Sequence, residues 1–403
     1  MRSVGKKEVH RRRGLWYLWP MKKIRLLTPG PTAIPESVLS KFAEPVIHHR
    51  TSLFEARFKK LQEHLGWLFQ TREPVLTLTA TGSGAMEAAV ANLFSPGDEV
   101  IVLNLGKFGE RWTKISKTYG LKVHELLVER GSAADPLEVR GLLAAHPATK
   151  AVLFQASETS TGALNPVKAI VDLCREHGVL SICDGITAVG IFDLPMDDWG
   201  IDVLITGSQK ALMLPPGLAF IALSARAWQA VSEARNPRFY FDLTREKKMQ
   251  EKQQTAWTPA ISLIEGGVES LGLLREEGLP ALFARHESLA ACTREAVKAL
   301  GLALFSKAPS PVLTTVRVPA SFSVDQGKAI QKIMQEKYGV IIMGGQDELQ
   351  GRILRLSHFG YCDVFDVATG IGALELALDE LGHPVEFGKG VGAVLKTHRA
   401  QAR

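Results

Sequence analysis

The chain has 403 residues, 46% of them hydrophobic and 22% charged, which fits a globular protein long enough for two domains. No apolar run approaches eighteen residues, so a transmembrane helix is excluded. The net charge of +6 is concentrated in residues 1–25, which carry +8 while the remaining chain is near −2; the body is therefore no broad nucleic-acid surface.

Residues 1–20 read as a basic extension, either disordered or a false start upstream of Met21, because the long apolar core of a secretory signal is missing. Cys174, Cys183, Cys292 and Cys362 lie far apart with no C-x-x-C spacing, which implies neither a disulfide framework nor a zinc site. A reducing, cytoplasmic setting is the expectation.

From Leu26 to Pro35 the proline-rich run Leu-Leu-Thr-Pro-Gly-Pro-Thr-Ala-Ile-Pro predicts an extended arm. Phe54, Phe58, Leu61, Leu65 and Leu68 recur at helical spacing and predict an amphipathic helix over 52–69. Between them His48 and His49 are adjacent, cannot share a helix face and are read as surface residues rather than metal ligands; Arg50 is the cation there that could reach an anionic ligand.

Val75–Thr79 predicts a strand, and Thr81, Gly82, Ser83 and Gly84 lead into a helix over 85–94. Glycines at a helix N-terminus let backbone N–H groups approach an anion, so this turn is a candidate phosphate cradle, with a plain tight turn as the alternative. No Gly-Lys-Ser/Thr follows, and Glu87 stands where a dinucleotide fingerprint needs its third glycine.

Apolar strands are then predicted at 99–103, 122–127, 151–154, 179–183 and within 201–207, and helices at 109–119, 136–145 and 167–177 fall between the first four of them. This alternation predicts an α/β fold with a parallel sheet covered by helices on both faces, whose ligands lie beyond the strand C-termini. Polar groups and one aromatic ring collect there: Thr81 to Gly84, Phe108 in a loop, the run Ser157 to Gly162, Asp184 and Lys210. Apolar Ala211 to Leu214 would partly desolvate the Lys210 ammonium and make a nucleophilic amine accessible. Asp184, a carboxylate after an apolar strand, needs a cationic partner. An anion cradle, an aromatic platform, a carboxylate for a ring nitrogen and an amine for an aldehyde together meet the needs of pyridoxal 5'-phosphate.

Over about residues 26–381 the chain resembles the class V aminotransferases of fold type I, and within them the alanine–glyoxylate and serine–pyruvate (serine–glyoxylate) group. The resemblance rests on Thr28-Pro29-Gly30-Pro31, Thr159-Ser160-Thr161-Gly162, Gly207-Ser208-Gln209-Lys210-Ala211-Leu212 with Pro215-Pro216-Gly217, Ile342-Met343-Gly344-Gly345 and Leu354-Arg355. It implies Lys210 as the Schiff-base lysine and general base, and Asp184 as partner of the pyridinium nitrogen. Thr81, Gly82, Ser83, Gln209 and Thr258 would bind phosphate. Phe108 would stack on the ring where tryptophan is usual, and Thr159 would reach the phenolic oxygen. Arg355 would clamp the substrate carboxylate.

The family supplies the counterpart of Thr258 from the other subunit, which implies a homodimer with shared active sites. A large domain over 21–280, a smaller C-terminal α/β domain over 281–385 and a polar, mobile tail over 386–403 are expected. The implied activity is transamination from alanine or serine to glyoxylate or pyruvate, without metal, nucleic acid or membrane. The alternatives are aspartate, aminoethylphosphonate or ureidoglycine donors, or a non-catalytic partner subunit retaining the fold. A cysteine desulfurase is disfavoured, since no cysteine lies between Cys292 and Arg355.

Overall fold

A computed structural model describes residues 23–401, so the predicted extension over 1–20 and the alternative start at Met21 lie outside the described residues. A seven-stranded sheet runs in spatial order Val75–Leu78, Ala219–Leu223, Val203–Gly207, Leu180–Asp184, Thr149–Gln155, Glu99–Asn104 and Lys122–Leu127. Every pairing is parallel except those of Ala219–Leu223, which is antiparallel to both neighbours. Sequence reading did not identify that strand, because the short connection from Lys210 to Leu218 returns the chain as an antiparallel neighbour, without a crossover helix.

Two apolar layers cover the sheet. One contains helices Ser52–Phe69, Pro136–Ala145, Val167–Glu176 and Ile261–Glu277, and the other contains Gly82–Leu93 and Ala225–Glu233. Strands buried on both faces explain the unbroken apolar runs at Val203–Gly207 and Leu180–Asp184. Helix Ser52–Phe69 has the predicted bounds: Thr51 accepts from Phe54 N at 3.4 Å, and Phe54, Phe58, Leu61, Leu65 and Leu68 form its buried stripe. Glu265-Gly266-Gly267 lies in Ile261–Glu277. A Cβ at Gly266 would come within 2.8 Å of the Phe42 ring and one at Gly267 within 3.0 Å of Leu61, so the glycines permit close helix packing.

The second unit has an antiparallel sheet ordered Leu313–Arg317, Ile353–Ser357, Met343–Gly344, covered by helices Leu279–Ala299, Val324–Tyr338 and Val364–Glu380. The N-terminal arm joins the units: Arg25–Leu26 pairs in parallel with Val340–Ile341, and Ser357 N donates to Leu27 O at 3.0 Å.

The tail expectation over 386–403 is corrected by helix Lys389–Gln401, which runs against Leu279–Ala299 and Val364–Glu380 with Val394 fully buried. Buried Glu375 supplies the reason. Its carboxylate accepts from Gly388 N and Gly390 N, both at 2.8 Å, and from Val391 N at 3.3 Å, satisfying the helix's first amides and favouring its positive end. No helix of the described residues is long and apolar enough to cross a membrane.

Candidate active site

Strand Val203–Gly207 is followed by a turn that holds Ser208, Gln209 and Lys210, the last 8% exposed, at the C-terminal edge of the sheet. Its Nζ donates to Pro29 O of the arm, and Thr32 Oγ1 donates to Lys210 O at 2.9 Å. A Cβ at Gly30, where φ is +119°, would lie within 2.8 Å of Lys210 Cδ, so only glycine lets the arm cross this closely. Burial lowers the Lys210 pKa to about 8, against the opposing pull of the Asp184 charge; Arg355 and Arg111 lower it further.

Asp184 ends strand Leu180–Asp184 and is almost fully buried, its Oδ1 accepting from Ile186 N at 2.8 Å. Burial raises its pKa to about 7, opposed by the Ile186 hydrogen bond; Glu158 also raises it, while Arg111 and Lys210 lower it. Such a carboxylate gains when a cationic ring N–H is brought to it.

Glu158, fully buried, was only part of a polar run in the sequence. Its Oε2 accepts from Phe108 N at 3.1 Å, Gly109 N at 3.2 Å and Gln155 Nε2 at 2.9 Å, and its Oε1 accepts from Ser160 N at 3.0 Å and from Ser160 Oγ. The carboxylate thus caps helix Lys107–Thr118 and fixes Phe108 in its first turn, not in a loop. A Cβ at Gly106 would fall 2.6 Å from Glu158 Cδ, so the glycine permits this approach.

The predicted anion cradle is the first turn of helix Gly82–Leu93, which begins earlier than expected, and its N-cap Thr81 makes no side-chain cap. Gln209 Oε1 is buried with no partner among the described residues, so the side-chain amide is held by no hydrogen bond at that end. Arg111, which the sequence reading missed, donates to Ser83 Oγ at 2.9 Å, and its guanidinium lies 4.9 Å from the Phe108 ring centroid. Its spacing of three from Phe108 on one helix was the available signal. Uncapped amides, a cation, the unpartnered amide of Gln209, a buried carboxylate and a buried amine fit the phosphate, ring nitrogen and aldehyde of pyridoxal phosphate.

Arg355, on strand Ile353–Ser357 of the second unit, is buried; its Nε donates to Gly344 O at 2.7 Å and its Nη1 to Thr159 O at 3.0 Å. Burial lowers its pKa to about 10, against the pull of Glu158. Two bonds fix the guanidinium plane and leave Nη2 for an anion. Thr159 is buried beside it.

Within one chain, Arg50 and Thr258 are not brought to this crevice. Arg50 is exposed and donates to Gln254 Oε1 at 2.6 Å, and Thr258 is exposed after Trp257. Arg50 lies in the turn before helix Ser52–Phe69, and Thr258 in the loop whose Ala260 N donates to Thr79 Oγ1 at 3.3 Å. The four cysteines are free, Cys174, Cys183 and Cys292 being buried.

The model of the family described as Aminotransferase class-V matches residues 24–357. Over 92% of the chain and 97% of the relative, 39% of residues are identical to the soluble hydrogenase 42 kDa subunit of Anabaena cylindrica. The L-aspartate–glyoxylate aminotransferase of Paracoccus denitrificans is 32% identical over 93% of this chain and 96% of its own. The crystal structure of an alanine–glyoxylate aminotransferase from Nostoc sp. superposes with a TM-score of 0.85 at 30% identity, covering 93% of this chain and 100% of that one. The chain belongs to the class V aminotransferase family and has its fold type I architecture, with pyridoxal phosphate as cofactor.

Proposed function

We propose that the protein moves the amino group of alanine or serine to glyoxylate or pyruvate by a ping-pong reaction centred on Lys210. The observation that carries this reading is a buried amine of lowered pKa in the field of Arg355, whose Nε and Nη1 are held by backbone carbonyls and whose Nη2 is left for a substrate carboxylate. The other cation acting on Lys210, Arg111, is tied to Ser83 of the anion cradle. One clamp for one carboxylate suits a donor with a small, uncharged side chain.

Pyridoxal phosphate supplies an electron sink for the bond broken at Cα. Lys210 would supply the amine for the cofactor's aldehyde and, when free, a base for the Cα proton. Asp184 would keep the ring nitrogen protonated, Phe108 would give the ring a face, and Thr81, Gly82, Ser83 and Gln209 would bind phosphate. Thr159 would serve the phenolic oxygen. Arg355 fixes the substrate carboxylate and with it the Cα bond that breaks.

A homodimer belongs to the same reading, with Thr258 of the partner subunit completing the cradle. Its exposed position supports this, as does the neighbouring aromatic ridge, where Trp257 stacks on Tyr240 at 5.7 Å and Phe239 is 74% exposed. Four free thiols accord with a reducing cytoplasm.

Adding alanine, serine, aspartate or aminoethylphosphonate singly to the cofactor-loaded protein tests the donor through its visible absorbance. Bleaching by alanine or serine, reversed by glyoxylate or pyruvate, is expected. Bleaching by aspartate or the phosphonate alone would contradict the small-donor reading, and response to none would contradict transamination of all four.

A further inference from the structure

Glu99, His124 and His146 meet at the end of the sheet away from the crevice. Glu99 opens strand Glu99–Asn104, whose far end leads to Phe108, so about 17 Å of strand separates the two places. On the neighbouring strand, Lys122 is the direct partner of Glu99 and His124 that of Ile101, which puts Glu99 and His124 diagonally on one face. His146 ends helix Pro136–Ala145 over that face; its N–H donates to Leu142 O at 3.0 Å and its carbonyl accepts from Thr149 N at 3.0 Å. Three pinned backbones thus hold the three side chains.

The ligand atoms they offer all lie within 4.8 Å of one another. His124 Nε2 stands 3.0 Å from Glu99 Oε2, and the two imidazoles stack with centroids 3.6 Å apart at 17°. A tetrahedral zinc with bonds of about 2.1 Å holds its donors about 3.4 Å apart, so no pair has to close by more than about 1.4 Å. Metal binding therefore requires one of the two partly exposed rings to rotate out of the stack. Lys122 Nζ competes for Glu99 at 3.2 Å but is 67% exposed and can turn to water.

We propose that Glu99, His124 and His146 form a binding site for a divalent transition metal of the zinc class, with water completing the coordination. Two imidazoles and one carboxylate suit zinc, and refuse magnesium or calcium, which take all-oxygen shells. The site joins the edge strand to the helix after it and lies too far from Lys210 to enter the reaction, so its effect is to brace the sheet edge.

The test is equilibrium dialysis of untagged, cofactor-loaded chain against zinc chloride at neutral pH, read by metal analysis and thermal unfolding. His48 and His49, stacked at 4.7 Å, offer the competing surface pair, so H48Q/H49Q is the control. One zinc per chain and a higher melting temperature are expected in the wild type and in H48Q/H49Q. Binding at least tenfold weaker is expected in H146A and in E99Q, whose near-isosteric change preserves the fold. Absence of zinc from the wild type, its loss in H48Q/H49Q, or undiminished binding in both E99Q and H146A would overturn the proposal.

Discussion

Lys210 and Asp184 are ionisable groups whose burial moves their pKa values toward one another, to about 8 and about 7. For an amine the neutral fraction grows as pH rises, by about tenfold per unit below its pKa. The cofactor-free chain should therefore take up pyridoxal phosphate faster as pH rises from 6, levelling off above about 8; stopped-flow absorbance reads this, and a rate flat from pH 6 to 9 would count against a buried amine as the acceptor. Arg111 makes a charge-assisted bond inside the cradle, and such bonds contribute about 1.5–3 kcal/mol. R111A is accordingly expected to release the cofactor about ten- to a hundredfold more readily in dialysis, with Lys210 intact. R355K keeps the charge but loses the planar fork, so a raised KM for the amino donor is expected in steady-state kinetics, at little cost to cofactor retention. Lys210 and Asp184 stand out in the sequence because each comes where an apolar strand ends, whereas Arg355 was named through the family resemblance. Glu158 and Arg111 do not stand out, since their roles depend on the meeting of two loops and on one helix turn facing another. Arg50 shows the converse, a cation in a suggestive place that folds onto Gln254.

Among the elements, the arm and the C-terminal helix carry consequences of opposite kinds. The arm's extended character followed from its prolines, but its passage over Lys210 is a contact across 181 residues that no local pattern contains. A G30A substitution puts a methyl group against the lysine side chain, and a loss of cofactor uptake with an unchanged far-ultraviolet circular dichroism spectrum is expected. The helix Lys389–Gln401 was hidden because its composition is polar and its anchor, Glu375, lies 13 to 16 residues earlier in the chain. Deleting residues 386–403 leaves the Glu375 carboxylate unpaired and removes fully buried Val394; at about 1.5 kcal/mol or more for the valine alone, a melting temperature lower by several degrees is expected in calorimetry. Element boundaries were otherwise close, the main shift being that both the cradle and Phe108 belong to first helical turns.

At the scale of the molecule, the alternation of apolar strands and helices made the layered α/β fold readable, whereas the antiparallel strand Ala219–Leu223 needed the spatial order to be seen. The two units meet through the arm, the Arg355–Thr159 bond and an ion pair of Lys107 with Asp347 at 2.6 Å, so Arg355 and the Lys210 crevice come from different units. Under the proposed function, a substrate bound between them would draw the two walls together. The same reasoning extends to two copies of the chain. If Thr258 of the partner subunit completes the cradle, T258A weakens cofactor retention, and light scattering finds a dimer in both variant and wild type.

Lys210 is proposed to hold the cofactor. Borohydride reduction of the loaded protein followed by peptide mass spectrometry should find a phosphopyridoxyl adduct on Lys210, absent from K210A; an adduct on another lysine, or none at all, would refute that role.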